Sequence, residues 1–309
     1  MESGQLHSFD GTRLAYHVAG SGNEWLVIAN APGMSQEFWV PLLRELPERF
    51  RFLLWDYRGI SPSGLPSVAE RLTVADHARD LGVLLDHLGI ERAHFLGWCI
   101  GPRVLLAHYL EEPERFRSLA TLAFSYNVPS DWAEASRFDE LMLTLAERIK
   151  VNPRGARIAA QVLKLYREDD YQQLIETIEG EHEMQDLTDL VGVLGGQSAV
   201  ADLSLGMLKN EEDFRSYFHI YADMLNYGVR EILTHVQVPF LAVAGAADSW
   251  TPPSPIRALC EIVPNGSYAE IPDATHYLLL ERPTAVLQAL VEFWGSLETT
   301  DAQAAACAS

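Results

Sequence analysis

Leu96-Gly97-Trp98-Cys99-Ile100-Gly101 decides how the rest of the chain is read. Ala93 to Leu96 is a short apolar run of strand type and Val104 to Leu110 has helical spacing, so Cys99 falls on a tight strand-to-helix turn. Such a turn strains the backbone at its apex and brings chain segments close together, a physical reason for glycine two residues before and two after. The start of the following helix aims N–H groups and the positive end of its dipole at the apex, where they stabilise a thiolate or a developing oxyanion. A lone cysteine is more often a buried, inert side chain. Here the paired glycines and the strand and helix context point to a nucleophile. Cys260, in an apolar helical stretch, and Cys307, near the C-terminus, lack that context and are read as inert.

Outward from this turn the chain alternates strand and helix patterns. Gln5 to Phe9 and Thr12 to Val18 flank Asp10-Gly11, a dipeptide that favours a tight hairpin turn. Short apolar runs follow at Trp25 to Asn30, Arg51 to Trp55 and Leu119 to Phe124, with helical patterns at Gln36 to Leu46 and at Val74 to Leu88, the latter stopping at Gly89. This order predicts an α/β protein with a mostly parallel central sheet and helices on both faces. From 129 to 231 the periodicity is helical, with breaks at Asn152-Pro153, Gly180 and Gly195-Gly196, which predicts an inserted helical cap. Strand patterns return at Phe240 to Ala244 and Tyr268 to Ile271, and Pro283 to Trp294 makes a closing helix. The expected organisation is a core over 1–128, the cap over 129–231, the rest of the core over 232–297 and a disordered tail over 298–309.

Of 309 residues, 48% are hydrophobic and 21% charged, a composition that buries a sizeable core. A formal charge of −20 argues against nucleic acid and anionic membrane surfaces as partners, since both require clustered Lys and Arg. Met1 to His7 has neither the basic patch nor the apolar run of a signal peptide, and no later stretch approaches membrane-spanning length, so a cytoplasmic location is expected. Three cysteines without a C-x-x-C spacing suggest neither a disulfide framework nor a zinc site. No Walker loop, H-E-x-x-H or complete G-x-G-x-x-G after an early strand occurs, so no cofactor and no metal are expected, and the partner is a small-molecule substrate.

The Cys99 turn resembles the G-x-S-x-G nucleophile elbow with Cys in place of Ser. Asp56-Tyr57-Arg58-Gly59 looks like a D-x-R-G turn, and Asp80 to Ile90 resembles the helix before the nucleophile strand. Ala244-Gly245-Ala246-Ala247-Asp248 and Pro272-Asp273-Ala274-Thr275-His276 match loops that carry an acid and a base, in the order nucleophile, acid, base. On these segments the chain resembles the α/β-hydrolase superfamily over most of residues 10 to 295 outside the cap. The resemblance implies the α/β-hydrolase fold and a triad of Cys99, His276 and Asp248. In it His276 accepts the thiol proton or pairs with the thiolate, Asp248 fixes the imidazole tautomer, and His276 later activates water or another acceptor. Asp273 is the competing acid. His77, His87, His94 and His108 fall in fold-building segments and are read as structural.

One departure from the family bears on the chemistry. Aligning Trp39 with the family's usual Trp places Asn30-Ala31-Pro32 on its H-G-x motif, whose last residue donates an N–H to the oxyanion. Pro32 has no N–H. Ile100 remains one backbone donor; Gly33, Met34 and the Asn30 side chain are candidates for the second, and Trp98 is a candidate substrate-binding residue. The cysteine elbow resembles dienelactone hydrolases and polyhydroxyalkanoate synthases at the elbow and triad only, and both perform acyl chemistry. The leading expectation is therefore attack on an ester, lactone or thioester, carrier-bound and CoA thioesters included, through a Cys99 acyl-enzyme that is hydrolysed or passed to a second nucleophile. Two alternatives stay open: a non-hydrolytic enzyme (lyase, cyclase, C–C bond-forming or cofactor-free oxygenation), and a ligand-binding protein on the same scaffold. Trp132, Phe138, Tyr217, Tyr221, Met224 and Tyr227 in the cap either roof an apolar pocket or pack against the core.

Overall fold

The apolar runs become eight strands of one sheet in a computed structural model of the protein, which describes residues 1–68, 71–124, 142–147, 149, 203, 206 and 208–308. The strands are β1 (Glu2–His7), β2 (Arg13–Ala19), β3 (Glu24–Ala29), β4 (Phe50–Trp55), β5 (Ala93–Trp98), β6 (Phe116–Leu122), β7 (Phe240–Gly245) and β8 (Gly266–Ile271). Their order is β1-β2-β4-β3-β5-β6-β7-β8, with β2 antiparallel to both its neighbours and every other pairing parallel. Helices cover both faces, so Leu26, Val27 and Ile28 of β3 and all of β5 are buried without alternation, as central parallel strands require.

Local chemistry sets the helix limits. The pattern at Gln36 to Leu46 divides into a 3-10 turn (Gln36–Trp39) and α1 (Val40–Glu45), because Pro41 in the first turn of α1 has no N–H to continue the earlier ladder. Helix α2 (Val74–His87) is capped by the Thr73 hydroxyl, which accepts from the Asp76 N–H, and it ends ahead of Gly89, at φ +64°. Then come α3 (Pro102–Glu111), α4 (Glu211–Asn226), α5 (Arg230–Thr234), α6 (Pro253–Ile262), α7 (Leu278–Glu281) and α8 (Pro283–Ala308). One expectation is corrected. The register pairs His7 with Arg13, so Asp10-Gly11 lies inside a longer connection over 8–12 rather than a two-residue turn. Helix α8 continues past 298 into the range expected as a tail, where Ala302, Ala304, Ala305 and Ala306 have the highest intrinsic helix propensity.

Most of the expected cap, including Trp132, Phe138 and the three breaks, lies outside the described residues. Helix α4, within the expected cap range, buries Tyr217, Ile220, Tyr221 and Met224.

The Asp56–Gly59 turn after β4 is a structural joint. Arg58 is fully buried; its Nε donates to Asp80 Oδ2 at 2.6 Å, Nη2 donates to Asp80 Oδ1, and Nη1 donates to Asp10 Oδ2 at 2.9 Å. One guanidinium thereby ties the β1–β2 connection and α2 to the end of β4. Removing one member of a buried pair leaves the other charge uncompensated, so Asp80→Ala is expected to cost about 3–5 kcal/mol. Urea denaturation checks this, and a loss below about 1 kcal/mol, the range of exposed pairs, would show that the joint is dispensable.

Candidate active site

Cys99 occupies the apex between β5 and α3 with φ +56°, a left-handed conformation held in place by its N–H donating to Leu122 O at 3.0 Å. Close approach explains the flanking glycines. A Cβ at position 97 would stand 2.7 Å from the Pro102 ring, and one at 101 would stand 2.5 Å from the carbonyl oxygens of Ala29 and Asn30. The apex faces the carboxyl edge of the sheet, where β3, β7 and β8 also end and where open α/β sheets place their ligands.

Asp248 follows β7 and His276 follows β8. Their loops meet because residue 245 is glycine: a Cβ there would lie 2.4 Å from Ala274 O. Asp248 Oδ2 accepts from His276 Nδ1 at 3.0 Å and from the Thr251 hydroxyl at 2.5 Å, while Oδ1 accepts the N–H groups of Trp250 and Thr251 at 2.8 and 2.9 Å. Burial alone would raise the Asp248 pKa, but the His276 charge and these hydrogen bonds hold it below the usual carboxylate value. For His276, burial alone would lower the pKa. The negative charge of Asp248 and that of Cys99 outweigh it and push the value up to about 10. The indoles of Trp98 and Trp250 flank the imidazole, with ring centroids 5.1 and 5.0 Å away, and favour its cationic form. Nε2 is buried and makes no hydrogen bond of ordinary geometry, and the Cys99 sulfur is close enough to act on its charge.

The other buried histidines show what the carboxylate contributes. Burial drives His77 down to about 3, and His94 and His108 down to about 4. His94 has Glu24 only at 3.6 Å and His108 has Glu112 at 4.0 Å, neither carboxylate as close or as deeply buried as Asp248. All three sit inside fold elements and stay neutral near pH 7. The charge on Cys99 contributes to the raised His276 value, so its removal by Cys99→Ser should move the His276 titration down from about 10. Imidazole NMR between pH 6 and 11 measures the shift, and an unmoved titration would mean that His276 does not sense Cys99.

The expected oxyanion and substrate residues separate into used and unused groups. Asn30 Nδ2 donates to the carbonyls of Met34 and Ser35 at 2.9 and 3.2 Å, and its Oδ1 accepts the Ala31 N–H. The Met34 N–H donates to Ala31 O at 3.2 Å. Two of the three candidate donors, the Asn30 amide and the Met34 N–H, are thus committed to folding their own loop, which Gly33 turns at φ +76°, while the Gly33 N–H donates to no acceptor among the described residues. The Trp98 N–H is also committed, to His276 O at 3.0 Å, so this indole positions the histidine loop instead of offering a donor to substrate. The Ile100 N–H donates to no acceptor among the described residues. Asp273, the competing acid, is exposed, and the carboxylate against the imidazole is Asp248. Cys260 is buried with Sγ against Ser267 O at 2.9 Å, and burial raises its thiol to about 11, well above the reactive range. The side chain of Cys307 lies outside the described residues.

The family described as alpha/beta hydrolase fold matches residues 24–283. The chain belongs to the α/β-hydrolase family. Among curated relatives, a protein from Azorhizobium caulinodans named as a carbamate hydrolase, RutD, is 28% identical over 286 residues, spanning 92% of this chain and 96% of its own. A pimeloyl-[acyl-carrier protein] methyl ester esterase of Edwardsiella ictaluri is 24% identical over 91% of this chain and 96% of its own. An esterase of Thermogutta terrifontis superposes with a TM-score of 0.72 at 21% identity, covering 96% of this chain and 99% of that one. An enol-lactonase of Burkholderia xenovorans gives 0.69 at 22%, covering 94% of this chain and all of that one, and both structures share the fold.

In this α/β-hydrolase two supports of the site went unread in the sequence. Thr251, three residues after Asp248, closes a turn on the carboxylate; the D-x-x-T spacing is the signal, a weak one outside its loop. Glu281, buried at 2% exposure, accepts the Thr275 N–H at 2.5 Å and its hydroxyl at 2.6 Å, holding the residue before His276. Among the described residues no group of three His, Cys, Asp or Glu side chains is arranged to hold a metal, and no helix is long and apolar enough to cross a membrane.

Proposed function

We propose that the protein cleaves an ester, lactone or thioester through an acyl-enzyme on Cys99, with His276 and Asp248 as its partners. The observation that carries this reading is the buried His276 imidazole, whose Nδ1 donates to Asp248 Oδ2 at 3.0 Å and whose charged form Asp248 and Cys99 both favour. The Cys99 thiolate forms an S–C bond to the carbonyl carbon while the C=O electron pair moves onto oxygen. As that pair returns, the leaving thiolate or alkoxide departs and takes the proton from His276. Acylation removes the charge on Cys99, so His276 loses one of the two charges that held its proton. The now neutral imidazole takes a proton from water, the hydroxide forms the new C–O bond, and Cys99 leaves as thiolate with the proton back on His276. An alcohol or amine in place of water gives acyl transfer. Asp248 fixes the tautomer throughout.

The names of the relatives support a carbonyl bonded to a heteroatom as the reacting group, and the acyl-carrier-protein esterase supports a carrier-bound substrate in particular. The likeness of the cysteine elbow to dienelactone hydrolases and polyhydroxyalkanoate synthases points to the same chemistry. Residues 129–231 serve in this reading as a cap that selects the acyl group, since an insertion after β6 emerges at the carboxyl edge of the sheet. Pro32 favours the second reading, a non-hydrolytic reaction in the same pocket, because it removes a donor that ordinary ester hydrolysis uses. Rapid quenching with S-phenyl thioacetate and intact-mass detection separates the two. An acetyl adduct mapped to Cys99 is the expected result; thiophenol release with no adduct at any time would overturn the acyl-enzyme.

A further inference from the structure

We infer that the Tyr221 hydroxyl is the second oxyanion donor, replacing the backbone N–H that position 32 lacks; this rests on the acyl-enzyme reading of Cys99. Tyr221 is carried by α4, far from the elbow in sequence, yet its Oη lies 3.9 Å from Cys99 Sγ. Once sulfur has bonded to the carbonyl carbon, the oxyanion sits one atom further out. A hydroxyl at this distance from Sγ is therefore placed to reach the roughly 2.7–3.1 Å that a donor needs. Tyr221 is buried, at 2% exposure, so its bond to the oxyanion would form away from bulk water.

An oxyanion donor must be fixed before the charge appears, and α4 is pinned to the core at three places. Near its start Asp213 accepts the Ser61 N–H and hydroxyl at 3.1 and 3.0 Å. In its last turn Asp223 accepts the Val74 N–H of α2 at 2.7 Å. Just past its end the Tyr227 carbonyl accepts from Arg103 Nη1 on α3, the helix that begins at the Cys99 turn. Three other donors near the elbow, unlike the Gly33 N–H, are committed to the loop that follows β3. The Tyr57 hydroxyl donates to Asn30 O at 2.7 Å, and Asn30 Nδ2 and the Met34 N–H close their own loop. The Ile100 N–H and the Tyr221 hydroxyl then bind the oxyanion from the elbow side and from the α4 side.

The test compares a reaction that forms an oxyanion with one that does not. Tyr221→Phe keeps the ring and removes the hydroxyl. Acetylation of Cys99 by S-phenyl thioacetate should slow by about 10²-fold, the typical loss for one oxyanion donor. Alkylation of Cys99 by iodoacetamide, a displacement with no oxyanion, should keep the wild-type rate. Acetylation at the wild-type rate in the variant would overturn the role of Tyr221 and leave the acyl-enzyme intact. An equal fall in both reactions would overturn it as well, by showing that the hydroxyl acts on the thiol. A wild-type protein that forms no acetyl adduct would overturn the acyl-enzyme itself and Tyr221's role with it, a result distinguishable from the other two.

Discussion

Cys99→Ala is expected to reduce turnover by about 10⁶-fold, the scale seen when a nucleophile that acts as a unit with its base is removed. The side chain is buried at 5% exposure and small, and the turn is held by backbone contacts, from the Cys99 N–H to Leu122 O and from the Gly101 N–H to Trp98 O, which the substitution leaves in place. The Tm should therefore shift little while the acetyl adduct disappears. Steady-state kinetics with S-phenyl thioacetate, circular dichroism and intact mass measure the three together. Residual activity within 100-fold of wild type, in a folded variant free of contaminating esterase, would assign the reaction to another group.

Asp248→Asn is expected to lower kcat by about 10⁴-fold with little change in KM. Asparagine fits the same space and can still accept from Trp250 and Thr251, but its amide presents either a donor or a neutral oxygen to His276 Nδ1. The imidazole then loses the charge that outweighs its burial, and its pKa falls from about 10. A protonated His276 at neutral pH depends on that carboxylate, so the variant should lose acylation by the leaving-group route as pH rises through the new, lower value. The wild-type alkaline limb should lie near pH 10. Matching pH profiles for wild type and variant would show that Asp248 holds the loop without setting the proton on His276.

How much of this was legible beforehand follows from the range of each interaction. Apolar runs such as Trp25 to Asn30 and Arg51 to Trp55 are local signals, and a strand covered by helices on both faces must be apolar throughout, so the sheet could be read directly. The glycines at 97 and 101 were legible for the same reason: the need for small residues arises within a few positions of the turn. The joint of Arg58 with Asp80 and Asp10 was visible only as motif residues without a role, because three separate elements must first converge.

The candidate site divides in the same way. The order of Cys99, Asp248 and His276 along the chain, and the missing N–H of Pro32, are properties of the sequence by itself. Which carboxylate reaches His276, that Asn30 and Met34 spend their donors on their own loop, and that Tyr221 arrives beside the Cys99 sulfur were decided by tertiary structure alone. Hydrogen bonds reach about 3 Å, and a chain has many ways to bring distant residues within that range. Only the assembled sheet, with β5, β7 and β8 ending at one edge and α4 pinned above it, selects one of them.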